Sequence, residues 1–355
     1  MEFGITLFPD VSPEEKAAAD YFRESFAIVE RAEELGYTLV RSIEHHFTPY
    51  GGYSPSSILM LTALAARTKK MKLVTGAVIP AFNHPLKIAG ELGMLDAISN
   101  GRLMVGFGRA FLLHEFRRFG VSRDESQARF REGIEQVALL LTTENATSHG
   151  KFHSFENTTT LPRPTQRPRP QFFIAANTTA ASYEFAGRQG HYIMGVPMVA
   201  EKLRANLDLY RKAWAEAGHP GRGKVFLAFH MFVDRDSERA RRIAGKHVES
   251  YFKSLVEATV GMDTERSSDY EGYEKQRQQI AKLNIDTLIA SCAAWVGSPA
   301  EVREQIARYH ELIGGFDYAA LQVNFHTLPF EEAMRSIELF AHEVMPEFSE
   351  VPALT

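Results

Sequence analysis

The tetrapeptide Glu44-His45-His46-Phe47 places a carboxylate and two imidazoles directly after a run of strand type at residues 38–43. An imidazole titrates near neutrality and can take up or return a proton, and a neighbouring carboxylate can fix its tautomer and orientation. His45 is therefore the candidate proton-transfer group, with Glu44 or His46 as its orienting neighbour. Two adjacent histidines among 13 are equally compatible with an ordinary surface feature, so the case depends on what else the chain brings to the same place. The segment lacks the i, i+4 histidine spacing of a helical zinc site and has no cysteine cluster beside it, so no metal is expected. A serine hydrolase is excluded by the absence of any G-x-S-x-G turn.

Three further stretches carry groups that suit a ligand. In Gly106-Phe107-Gly108-Arg109 the glycines permit close backbone approach and Arg109 offers a planar fork to an anion. Phe111 stands where a dinucleotide fingerprint needs its third glycine, so this is not such a motif. Asn177-Thr178-Thr179-Ala180-Ala181-Ser182 opens a helix with hydroxyls beside the free first-turn N–H groups, which suits a phosphate; plain capping by Asn177 or Thr178 is the alternative. Gly76, inside Val74-Thr75-Gly76-Ala77-Val78, marks a bulge, a place where a flat ligand meets backbone, or a core glycine.

The elements that must position these groups alternate. Strand patterns fall at 2–8, 38–43, 72–79, 102–107, 172–175, 191–194, 224–233 and 318–324. Helical patterns fall at 17–35, 57–67, 84–98, 126–141, 179–189, 199–217, 237–255, from Ser298-Pro299-Ala300-Glu301 onward, and at 330–340. This alternation predicts a single α/β domain over 1–355, a (β/α)8 TIM barrel with insertions; a doubly wound open sheet is second, because periodicity cannot see closure. If the sheet closes, the strand ends bring His45, His46, Asn83, His84, Arg109 and Asn177 to one mouth. Residues 149–171, with Pro162, Pro164, Pro168 and Pro170, read as a hairpin excursion and extended linker whose arginines stay solvated. Residues 262–282 form a polar segment.

With 45% hydrophobic residues and a formal charge of -4, the chain should bury a substantial core and has no basicity for nucleic acid. No apolar stretch reaches membrane-spanning length, and the first residues show no leader pattern. One cysteine, Cys292, excludes an internal disulfide and fits the cytoplasm, which makes the sequons at Asn145, Asn157 and Asn177 coincidental. Apolar residues on the helices at 55–67 and 84–98 suit either a dimer seam or core packing.

Together the pieces resemble the bacterial luciferase-like flavin monooxygenase family, closest to the luciferase α subunit. The matching segments are residues 1–8, Glu44-His45-His46-Phe47-Thr48, Thr75-Gly76-Ala77 with Asn83-His84-Pro85, residues 95–102, Gly106 to Arg109, Asn177 to Ser182, and Val296-Gly297-Ser298-Pro299. The resemblance implies reduced FMN supplied by a separate flavin reductase, O2 as co-substrate captured as a flavin C4a-peroxide, and oxygenation of a small aldehyde, ketone or electron-rich ring. It makes His45 catalytic with Glu44 and His46 beside it. It assigns cofactor binding to Thr75, Gly76, Ala77, Gly108, Arg109, Ala176, Asn177, Thr178, Thr179 and Ser182, with a non-prolyl cis peptide at Gly76-Ala77, a mobile loop at 262–282 and a homodimer. Three departures stand out: Gly108 replaces the family's reactive cysteine, Gln127 lies where a second phosphate arginine is expected, and Gly90 where an acid is common. Two alternatives keep the fold, a deazaflavin-dependent hydride-transfer oxidoreductase and a non-catalytic flavin-binding partner subunit.

Overall fold

The computed structural model describes residues 1–197, 199–262, 264–265, 267–270 and 276–348. Its first half runs β1 (Glu2–Leu7), α1 (Ala18–Glu34), β2 (Leu39–Ser42), α2 (Ser57–Ala65), β3 (Lys72–Val78), α3 (Pro85–Ile98), β4 (Leu103–Phe107), α4 (Leu113–Phe119) and α5 (Ser126–Thr142). A hairpin of β5 (Ala146–His149) and β6 (Ser154–Thr158) follows. The second half runs β7 (Gln171–Ala175), α6 (Ala180–Arg188), β8 (Tyr192–Gly195), α7 (Ala200–Glu216), β9 (Val225–Val233), α8 (Ser237–Ala258), α9 (Gln276–Ile280), α10 (Ile285–Ala290), β10 (Ala294–Gly297), α11 (Pro299–Ile313), β11 (Tyr318–Gln322) and α12 (Phe330–Glu343).

Eight strands close in the order β9-β11-β1-β2-β3-β4-β7-β8, with β8 pairing back to β9, and the pairings are parallel. They are the eight strands that the sequence pattern predicts, and the open-sheet alternative falls. Strands covered on both faces can be apolar along most of their length, which is why these runs show little alternation. Outward residues such as Ile5, Val40, Leu73 and Val105 pack under the helices, whereas Leu39, Val74, Met104, Phe173, Met194, Phe226 and Tyr318 form a separate interior cluster.

The sequence reading missed β10. This strand lies parallel to the outer end of β9, Ala294 to His230 through Gly297 to Val233, while β11 takes the inner part of β9 from Phe226 to His230. Four residues running straight into the Ser298–Glu301 capping box are too few for periodicity to register. The hairpin starts earlier than expected, at Ala146, because Glu132 of α5 accepts the backbone N–H groups of Lys151, Phe152 and His153 and fixes the turn there. Two linker arginines are not solvated as expected. Arg163 donates to the carbonyls of Leu140 (2.6 Å) and Leu141 (2.9 Å) at the end of α5, and the Arg169 guanidinium lies 3.7 Å above the Phe172 ring.

Candidate active site

His45 follows β2 on a tight turn. His45 N–H donates to Ser54 O at 3.1 Å and Ser54 Oγ donates to Ile43 O at 2.6 Å, closing the segment on itself. Gly51, at φ +78°, passes so near that a Cβ there would lie 2.6 Å from the His45 Cβ. The imidazole packs among Phe8, Tyr50 and Phe111, with ring centroids 5.8, 5.2 and 5.7 Å away.

Its orienting partner is a residue the sequence reading did not name. His45 Nδ1 lies 3.1 Å from Glu115 Oε1, and the same oxygen accepts the His46 backbone N–H at 2.9 Å. Burial pushes the Glu115 carboxyl up, but the His45 charge and hydrogen bond, the His46 N–H and the His114 ring together outweigh it and hold the group below the usual carboxylate range. An ionised carboxylate only accepts, so Nδ1 carries the proton and Nε2 is the nitrogen left for proton transfer. Glu115 stands 70 positions from His45 on α4, a helix of seven residues, and no local signal in the sequence connects the two.

Glu44 and His46 belong to a neighbouring pair instead, a correction to their expected role as orienters of His45. His46 Nε2 is 3.8 Å from Glu44 Oε1, and Asn83 Nδ2 donates to the same oxygen at 3.3 Å. Burial raises the Glu44 carboxyl above its ordinary value, against the lowering effect of His46 and Asn83. His84, expected at the mouth, caps α3 by accepting Leu86 N–H at 3.2 Å.

Alternation along the strands turns Gly76 on β3, Gly106 and Gly108 on and after β4, and Ala175 on β7 toward the barrel axis at its C-terminal end. The Gly76-Ala77 peptide is cis, as the resemblance implied, and the register with β4 shifts between Gly76 and Val78, so the bulge reading also holds. A Cβ on Gly108 would sit 3.1 Å from the Ala77 Cβ and 3.2 Å from Ile79 Cδ1. Neighbouring side chains lie over two of these glycines, since a Cβ on Gly76 would fall 2.1 Å from Arg41 Nε and one on Gly106 would fall 2.9 Å from Met194 Cε. Thr75 Oγ1 is not available to a ligand, since it bonds both the N–H and the carbonyl of Gly106.

Arg109 leaves β4 beside the end of β7, the adjacent strand. Its guanidinium lies 4.6 Å from the Tyr270 ring, Arg123 lies at the same distance, and the Tyr270 hydroxyl donates to the Arg109 and Ala110 carbonyls. Ala110 has φ 62°, an uncommon conformation for a residue with a Cβ. Beyond β7, Thr178, Thr179 and Ser182 are half-buried and Asn177 is exposed. Thr179 is the N-cap residue of α6, and no side chain caps this helix, so the capping alternative is not realised. Ala176 is buried, its carbonyl accepting from the Tyr183 hydroxyl at 3.1 Å. At Gln127 the expected arginine is absent, and Asp269 instead accepts the Gln127 N–H at 2.9 Å at the start of α5. The predicted loop at 262–282 lies partly outside the described residues; its described part around Asp269 and Tyr270 packs on this same region.

A closed (β/α)8 barrel with a histidine–carboxylate pair, a glycine-rich strand wall and an uncapped helix end at its C-terminal mouth has the layout of a barrel enzyme. The profile of the luciferase-like monooxygenases matches residues 1–314, and the chain belongs to that family. The crystal structure of monooxygenase RslO1 from Streptomyces bottropensis is 41% identical, with a TM-score of 0.88 over 98% of this chain and 100% of that one. The oxygenase component of a flavin-dependent trigonelline monooxygenase from Acinetobacter baylyi is 27% identical over 99% of this chain and 96% of its own length. An F420-dependent glucose-6-phosphate dehydrogenase from Amycolatopsis mediterranei is 27% identical over 94% of this chain and 97% of its own.

Proposed function

We propose that this chain is the oxygenase component of a two-component monooxygenase, which takes reduced FMN from a separate flavin reductase and uses O2 to oxygenate a small aldehyde, ketone or electron-rich ring. The observation that carries this reading is the His45–Glu115 pair at the same mouth as the glycines Gly76, Gly106 and Gly108 of the adjacent β3 and β4. When bound, the flavin supplies the electrons that activate oxygen. Arg109, the uncapped α6 amides and the hydroxyls of Thr178, Thr179 and Ser182 hold its phosphate, and Gly76, Ala77, Gly108 and Ala175 flank its ring. His45 Nε2 moves the proton while Glu115 keeps the imidazole in register. Phe8, Tyr50, Leu112 and Tyr251, which form an apolar cluster over the mouth, exclude water.

Deazaflavin-dependent hydride transfer is the second reading, favoured by the F420-dependent relative. The 41% identical relative named as a monooxygenase weighs the other way. Titration of the apo-protein with reduced FMN and reduced F420 separates the two: tighter F420 binding reverses the order. Turnover with a reductase, read by mass for one added oxygen, tests oxygenation. A silent partner subunit would not need an imidazole held on a buried carboxylate. Leu59 (72% exposed) on α2, with Met94 (54%) and Ile98 (44%) on α3, supply the apolar face for the proposed homodimer. Among the described residues no helix is long and apolar enough to cross a membrane. The unpaired Cys292 is in keeping with the proposed cytoplasmic location.

A further inference from the structure

Beside the glycine of β3, the neighbouring strands carry a polar arc. Thr6 on β1 stands level with Arg41 on β2 and Gln322 on β11, and Gln322 stands level with His230 on β9. Arg41 Nη2 donates to the Gly76 carbonyl at 2.7 Å, whereas Arg41 Nε, His230 Nε2 and Thr6 Oγ1 are buried with no hydrogen-bond partner.

We propose that this arc, centred on Arg41, is the subsite for an acidic oxygen of the substrate, a carboxylate or phenolate. This deepens the flavin-monooxygenase reading and rests on it. Among the described residues no carboxylate pairs with the Arg41 guanidinium; the titratable groups that bear on it are the hydroxyls of Tyr50 and Tyr251, both held above their ordinary range by burial and therefore neutral. Burial pushes His230 down to about 4, so it too is neutral at pH 7. The Arg41 guanidinium, lowered by burial to about 10, keeps its charge. A buried cation facing only neutral groups lacks its counter-charge, and a guanidinium fork fits a planar oxyanion. One Arg41 donor braces the Gly76 carbonyl, and Nε, packed so closely on Gly76 that a Cβ there would fall 2.1 Å from it, keeps no protein partner. Gln322, whose Nε2 reaches only Phe8 O at 3.5 Å, and Thr6 can complete the acceptor's shell.

The test is calorimetric titration, with and without FMN, of matched acid and amide pairs of increasing size: benzoate and benzamide, 2-naphthoate and 2-naphthamide, anthracene-2-carboxylate and its amide. At least one acid should bind about 10-fold or more tightly than its amide, and Arg41→Gln should erase the preference in the flavin-free arm. 2-Naphthol distinguishes the two acidic oxygens, since binding as phenolate releases a proton that the buffer dependence of the heat records. Equal binding of acid and amide throughout, or no acid bound, overturns the proposal. So does an acid preference that survives Arg41→Gln. If Arg41→Gln does not fold, Arg41→Lys serves: it keeps the charge and should retain a weaker acid preference, and equal acid and amide binding there overturns the proposal as well. The flavin-free arm reads the subsite even where FMN itself fails to bind, so the two readings fail separately.

Discussion

The two ends of the barrel are made from the same strands and have opposite chemistry. At the N-terminal floor, Phe173 meets Tyr192, Phe226 and Tyr318 edge to face, with centroids 5.3, 6.0 and 6.1 Å apart. Polar groups there are paired: Lys224 donates to the Tyr318 hydroxyl at 3.1 Å and Lys72 bridges to Glu2 at 2.7 Å. A few residues along the same strands, at the mouth, glycines replace the rings and Arg41, His230 and Thr6 keep buried atoms without partners. Unpaired buried polar atoms weaken a fold, and an aromatic plug one layer below offsets that cost. Barrel stability and barrel reactivity are thus separated along one axis.

The sharpest break of that comparison is His45→Ala. Turnover should fall about 10²- to 10⁴-fold, the range for losing a general acid–base group, with FMN affinity and thermal midpoint close to wild type. Unchanged turnover would remove His45 from the chemistry. Phe226→Ala does the converse at the floor: stability should drop by about 3–5 kcal/mol in urea denaturation, while activity per folded molecule is retained. Should Phe226→Ala abolish flavin binding in its folded fraction, floor and mouth are not separable. Gly108→Val fills the wall, since even the first added carbon would lie 3.1 Å from the Ala77 Cβ. FMN affinity should weaken about 10-fold or more with a smaller stability change, checked by flavin titration.

The sequence announced the floor and half of the mouth. Eight strands were legible because each is an apolar run between turn signals, His45 and Arg109 because they follow strand ends, and Gly76 because a glycine inside a strand is unusual. Pairings over long separations were not: Glu115 finds His45 only once α4 folds over the mouth, and Asp269 finds the start of α5 from 142 positions away. Arg41 escaped notice for a different reason. Inside a strand covered on both faces, period-two reading does not say which side chain faces the axis. The short β10 and α4 lie below the length at which a period can be counted.

Glu115→Gln is the mildest of these changes and the one that best resolves how the mouth works. Glutamine keeps an acceptor for the His46 N–H but removes the charge facing His45, so a purely structural role and a positioning role separate. For the structural part, the folded Glu115 carboxyl is held below its ordinary value, so its stabilisation is present above the usual carboxylate range and is lost as pH falls through the folded value. The variant should therefore be less stable by about 1–2 kcal/mol at pH 7, and the gap should close on acidification, as urea midpoints at several pH values would record. For the positioning part, kcat should fall about 10-fold with KM little changed. A stability gap that persists at low pH, together with an unchanged kcat, would show that Glu115 merely fills space beneath the histidine.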